Sequence, residues 1–115
     1  MNSLPTYSIV MTDFFKKQLK KLVKKDEKLM ENLKAELRNF SKQKAIFIES
    51  KVYKIRIRSK SKGKSGGYRA YVLLLEIEGL LAPVCIYSKN TQNSLSDEDL
   101  AYSLEETYAG LESIL

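Results

Sequence analysis

The chain contains no histidine. That excludes imidazole acid–base chemistry, the Ser-His-Asp and Cys-His nucleophile sets, and the usual zinc sites. A single cysteine, Cys85, has no internal disulfide partner, which fits a reducing compartment. It lies in an apolar run and reads as a small buried residue rather than a nucleophile. No N-terminal basic region followed by an apolar core is visible, so no secretory leader is expected. The longest apolar run, Leu80 to Tyr87, is too short to cross a bilayer. A cytoplasmic protein without membrane association is the expectation. Basic residues are missing from the C-terminal segment: all 20 Lys and Arg lie at or before Lys89. Leu95 to Leu115 instead carries Asp97, Glu98, Asp99, Glu105, Glu106 and Glu112.

What is present is a basic body with a net charge of +6, long enough for one domain spanning residues 1–115. Such a body raises the local concentration of nucleic acid. The charge concentrates in Lys51 to Tyr71, KVYKIRIRSKSKGKSGGYRAY, which has eight Lys or Arg and no acid. Tyr53, Ile55 and Ile57 alternate there with Lys54, Arg56 and Arg58. This period of two marks a half-buried strand with one apolar and one cationic face. Ser59 to Gly67 reads as a Gly/Ser/Lys-rich turn, and a second strand resumes at Tyr68 with Arg69 near its start. The predicted hairpin gathers cations on one surface suited to a polyanion, foremost RNA.

The remaining elements follow in order. Tyr7 to Met11 is apolar and β-prone, a first strand. Thr12 is an N-cap candidate, followed by Asp13 and an apolar stripe of Phe15, Leu19, Leu22 and Val23. Lysines fill the other face, and the stripe is best read as a core face rather than a membrane-binding one. After a polar break with Asp26 as a possible cap, Leu29, Met30, Leu33, Leu37 and Phe40 define a second helix, antiparallel to the first. Ala45 to Ile48 is either a short strand or a core-plugging loop. The apolar run within Tyr68 to Ile77 predicts a central strand covered on both faces. Glu78-Gly79 supplies a turn into a strand that ends at Tyr87 and Ser88. There Pro83 either delays pairing to Val84 or marks an edge. Ser96 and Asp99 resemble a capping box, with Leu95 and Leu100 as its hydrophobic staple. Leu100, Leu104, Tyr108, Leu111 and Leu115 give the stripe of a last helix, which Gly110 weakens. The order β-α-α-β-β-β-α, a helical hairpin on a small and mainly antiparallel sheet, is α+β.

The remaining candidates for chemistry are the cations. The GKSGG at Gly63 to Gly67 joins two strands, whereas a phosphate loop joins a strand to a helix. Asp97-Glu98-Asp99 suits a helix N-terminus better than a metal site. An RNA phosphodiester can be broken by its own 2′-hydroxyl. Clustered cations stabilise the phosphorane, and crowding favours a neutral lysine that serves as base. Arg presents a planar fork to phosphate oxygens. Lys54, Arg56, Arg58 and Arg69 are the right types on adjacent strands; a passive nucleic-acid surface would have the same composition.

KIRIRSKSKGKSGGYRAY, with VCIYSKNTQNSLSDEDL after the next hairpin, resembles the RelE/ParE toxin superfamily of bacterial toxin–antitoxin systems, and within it the HigB-like toxins. The resemblance implies a RelE-like fold and a ribosome-dependent mRNA endoribonuclease that enters the 30S A site and uses no metal or cofactor. It implies a cognate antitoxin, often a helix-turn-helix protein of the HigA kind. Its catalytic set falls on Lys54, the candidate base, Arg56, Arg69 as the phosphorane-stabilising arginine, and Lys89. The resemblance leaves the general acid open among Arg56, Lys89 and a tyrosine. It assigns RNA contacts to Arg58, Lys60, Lys62 and Lys64, and base stacking to Tyr68 or Tyr87. RelE-type toxins carry an Arg just after the Lys89 position and a Tyr in the next segment, where this chain has Asn90 and Ser96. The alternatives are a ParE-like gyrase inhibitor, which generally lacks the full cationic set, and a non-catalytic RNA- or ribosome-binding module.

Overall fold

The computed structural model describes residues 6–59 and 67–115. In chain order these form β1 (Ser8–Ile9), α1 (Asp13–Val23), α2 (Leu29–Arg38), β2 (Ile46–Glu49), β3 (Val52–Ile57), β4 (Tyr68–Leu75), β5 (Leu80–Ser88) and α3 (Asp97–Ile114). The strands make one mixed sheet in the order β1-β5-β4-β3-β2. All neighbours are antiparallel except β1, which runs parallel to β5 through Ser8↔Leu80 and Ile9↔Leu81. The fold is α+β, as the patterning predicts. Ala45 to Ile48 resolves as a strand, because Ile46 and Phe47 pair with Lys54 and Tyr53 to extend the sheet by an outer edge.

β4 is central, and its apolar run is divided between two cores. Ala70, Val72 and Leu74 join Phe15, Leu19, Leu29, Leu33 and Leu37 from α1 and α2 on one face. Tyr71 and Leu73 join Val84, Cys85, Tyr87, Leu100 and Leu111 on the other, beneath α3. The helices start where their sequences dictate. The Thr12 hydroxyl accepts from the Phe15 N–H at 3.3 Å, and the Ser96 hydroxyl accepts from the Asp99 N–H at 3.1 Å. The Asp26 carboxylate accepts from the Lys28 N–H at 3.0 Å, just ahead of α2.

Pro83 takes the second of its two expected places: it lies where β5 becomes an edge of the sheet. Pairing with β4 already begins at Leu75↔Leu80 and runs through Val72↔Pro83, with a bulge before Tyr71↔Cys85. The proline is tolerated because β1 has ended by then: its last contact is the Val10 N–H to the Leu81 carbonyl at 3.1 Å. The exposed rim of β5 beyond it is occupied by a side chain. Gln18 of α1 donates to the Val84 carbonyl at 3.4 Å and accepts from the Ile86 N–H at 3.2 Å. Its amide thus pairs with the strand edge as another strand would, which blocks edge-to-edge association.

The stripe of α3 also differs from the expected one. Leu100, Ser103, Thr107 and Leu111 are the buried positions, whereas Tyr108 and Leu115 are 42% and 74% exposed. Small residues take the inner face because α3 crosses close to α1. A Cβ added at Gly110 would lie 2.9 Å from Thr12 Cβ and Cγ2. Gly110 is therefore a contact residue, and the helix continues past it to Ile114.

Candidate nucleic-acid interface

The hairpin of β3 and β4 builds the site. Its register sets Lys54 opposite Tyr71 and Arg56 opposite Arg69. Tyr87 of β5 lies across from Arg69 on the other side. Alternation puts Lys54, Arg56, Arg69, Tyr71 and Tyr87 on the sheet face that α3 partly covers. Directly opposed arginines repel and weaken a strand pair. Two ion pairs occur among the described residues, Lys28–Glu31 and Lys42–Glu76, and neither involves these cations. No carboxylate among the described residues pairs with Lys54, Arg56 or Arg69. Arg69 is half-buried, and its Nη1 donates to the Tyr68 carbonyl at 3.1 Å, which holds the guanidinium against its own strand.

The hairpin needs glycine where its second strand begins. Gly67 has φ +97°, and a Cβ there would come within 2.7 Å of the Ile57 carbonyl oxygen. Its own carbonyl accepts the Lys89 N–H at 3.0 Å, which brings Lys89, one residue past β5, to the Arg69 end of the sheet. Arg58 lies exposed just beyond β3. Lys60, Lys62 and Lys64 lie outside the described residues.

The two tyrosines expected to stack part ways. Tyr68 is turned to the opposite face, 8% exposed within the α1–α2 core. Burial and the neighbouring Asp26 push its phenol above the usual range. It is thus unavailable to a ligand on the cationic face, because strand alternation sends Tyr68 one way and Arg69 the other. Tyr87 is on the correct face but also closely packed, 7% exposed, with its hydroxyl donating to the Asn93 carbonyl at 3.1 Å. Burial, followed by Tyr71, raises its phenol to about 12. Tyr71, which patterning did not single out, lies beneath the cation: Lys54 Nζ is 5.6 Å from its ring centroid. The alternation in GGYRAY was the available signal, since Arg69 and Tyr71 must share a face.

Cys85 belongs to the core, and burial raises its thiol from 9.0 to about 12. A thiol reagent at pH 8 is therefore expected to label native protein far more slowly than unfolded protein. The raised value also favours folding below the unfolded thiol's pKa. That contribution is lost as pH climbs from about 9 to about 12, so denaturation midpoints should fall across this window. Among the described residues no group of three or more Cys, Asp or Glu is placed to hold a metal ion. No described helix is long and apolar enough to cross a membrane.

A cationic strand pair on the partly open face of a small sheet, with a helical hairpin behind it, is the architecture of RelE-like toxins. The free-state structure of an Arg-to-Ala double mutant of E. coli toxin RelE matches with a TM-score of 0.53 at 17% identity, over 96% of this chain and 99% of that one. The family described as "RelE toxin of RelE / RelB toxin-antitoxin system" matches residues 7–111. The chain belongs to this RelE toxin family, which implies a cognate antitoxin as its partner. No curated protein matches the sequence.

Proposed function

We propose that this RelE-family toxin is a ribosome-dependent endoribonuclease that cuts mRNA in the 30S A site, with the chain's own cations performing the chemistry. The observation that carries the reading is the Arg56–Arg69 pair, opposed in register and free of carboxylate partners among the described residues. A fold seldom accepts this repulsion for stability alone, and a phosphate between the two side chains would relieve it.

In the proposed reaction Lys54 takes the proton of the 2′-hydroxyl. The 2′-oxygen attacks the adjacent phosphorus, and Arg69 with Arg56 neutralises the phosphorane. The bond to the 5′-oxygen breaks as Lys89 or Arg56 supplies a proton. The products are a 2′,3′-cyclic phosphate and a free 5′-hydroxyl. Arg58, Lys60, Lys62 and Lys64 would hold ribosomal or messenger RNA backbone. The two motifs resemble those of the HigB-like branch, so the reading includes a HigA-like antitoxin and a cytoplasmic site of action.

The test is to add purified protein to a cell-free translation reaction and to map mRNA ends by primer extension, with and without ribosomes. Codon-spaced cuts that require ribosomes are expected. Ribosome binding without cuts would replace the enzyme by a binding module. Cuts in ribosome-free RNA would remove the A-site requirement.

A further inference from the structure

Tyr71 touches Lys54 with its ring and the segment leading into α3 with its hydroxyl. It stands in register with Lys54 of β3 on one side and Cys85 of β5 on the other. Lys54 Nζ sits 5.6 Å from its ring centroid, inside the range of about 6 Å over which an ammonium is attracted to an aromatic face. The ring is 3% exposed and lies 6.3 Å from the Tyr87 ring at 38°, so it offers a fixed platform. Its hydroxyl accepts the Leu95 N–H at 3.3 Å, and the Tyr87 hydroxyl donates to the Asn93 carbonyl at 3.1 Å. Leu95 directly precedes the helix cap Ser96, and Asn93 lies in the segment that begins after Lys89.

We infer that Tyr71 is a positioning residue: its ring holds the Lys54 side chain on the cationic face, and its hydroxyl ties the segment that follows Lys89 to the sheet. The inference rests on the ribonuclease reading for its kinetic consequence but not for its geometry. A residue present only to pack would need no hydroxyl, since phenylalanine fills the same volume. Here the hydroxyl satisfies a backbone N–H at the entrance to α3. A lysine on a four-carbon stem otherwise samples many positions, and a base must be within hydrogen-bond reach of its proton. The aromatic face narrows that sampling, so the amine formed when Lys54 gives up its proton is already in place.

The experiment has a kinetic arm and a geometric arm. Single-turnover cleavage on ribosomes is measured for Tyr71→Phe and Tyr71→Leu, each with Lys54 intact and with Lys54→Ala. With Lys54 intact, Tyr71→Leu is expected to slow the cleavage step about tenfold while leaving KM nearly unchanged. Tyr71→Phe should lose less, because it keeps the ring. In the Lys54→Ala background Tyr71→Leu should cost almost nothing more, since two residues acting through one contact are not additive. An equal loss in both backgrounds would reduce Tyr71 to packing and overturn the inference. The second arm reads the Lys54 ε-methylene proton shift by NMR in the isolated protein. Ring-current displacement is expected in the wild type and Tyr71→Phe, and its loss in Tyr71→Leu. A wild type that never cuts RNA would defeat the ribonuclease reading, and the NMR arm would still decide the contact. An undisplaced Lys54 signal in the wild type would overturn it, and this readout decides the contact even where Tyr71→Leu does not fold.

Discussion

Arg69→Ala is expected to lower ribosome-dependent cleavage by about two to three orders of magnitude while ribosome binding changes only a few-fold. Arg69 lies between Arg56 on β3 and Tyr87 on β5, with Nη1 anchored on the Tyr68 carbonyl at 3.1 Å. An anchored guanidinium needs little reorganisation as charge builds on the phosphorane, so its contribution belongs to the transition state rather than to binding. Stability should move the other way. Removing one of two opposed arginines relieves a repulsion worth up to about 1 kcal/mol, so the variant should melt at or above the wild-type temperature. Lower activity with unchanged or raised stability would mark a functional residue. Reduced stability together with reduced binding would assign Arg69 to the scaffold, and undiminished cleavage would remove it from the mechanism.

The second large effect concerns Gly110. Alanine is the better helix former by about 1 kcal/mol, so propensity alone predicts that Gly110→Ala stabilises α3. The geometry predicts the reverse. The new Cβ would lie 2.9 Å from two carbons of Thr12, a residue with no exposed surface whose hydroxyl caps α1. Relieving that overlap must push α3 away from α1 or disturb the cap. Overpacking of this kind costs about 1–3 kcal/mol, enough to outweigh the propensity gain. Gly110→Leu should cost more still, because its side chain cannot be accommodated by a small shift. Urea denaturation measures both variants. A stabilised Gly110→Ala protein would mean that the two helices do not meet there.

These residues also show how far the fold could be read from the sequence. The strands of the basic hairpin were legible because alternation of Tyr53, Ile55 and Ile57 with Lys54 and Arg56 is a local property. The caps Thr12 and Ser96 were legible for the same reason. The inner face of α3 was not, because hydrophobicity favoured Tyr108 over Thr107. The choice was made by the proximity of α1, which no local pattern encodes. Pro83 was ambiguous because its tolerance depends on where β1 stops, and β1 comes from the other end of the chain. In the site, residue types and strands followed from the motif. The facing of Tyr68 required the register: the residue next to a cation on a strand must point away from it. Alternation with Arg69 gives the facing of Tyr71 but not its role, which depends on contacts with Lys54 and Leu95, far from it in sequence.

The parallel pairing of Ser8 with Leu80 and Ile9 with Leu81 joins segments that lie most of the chain apart. The α1–α2 hairpin precedes the sheet that covers its apolar stripes, and those stripes are buried against β4 and β5. During synthesis at roughly 5–20 residues per second, the amino-terminal third must wait several seconds for its docking surface. Pairings this distant in sequence also slow the search for the native state. The cationic face is completed only when β4 and Lys89 have been made. A nascent chain therefore has no complete cationic face until most of its length has been translated, which leaves an interval in which an antitoxin already present can meet the toxin as it folds.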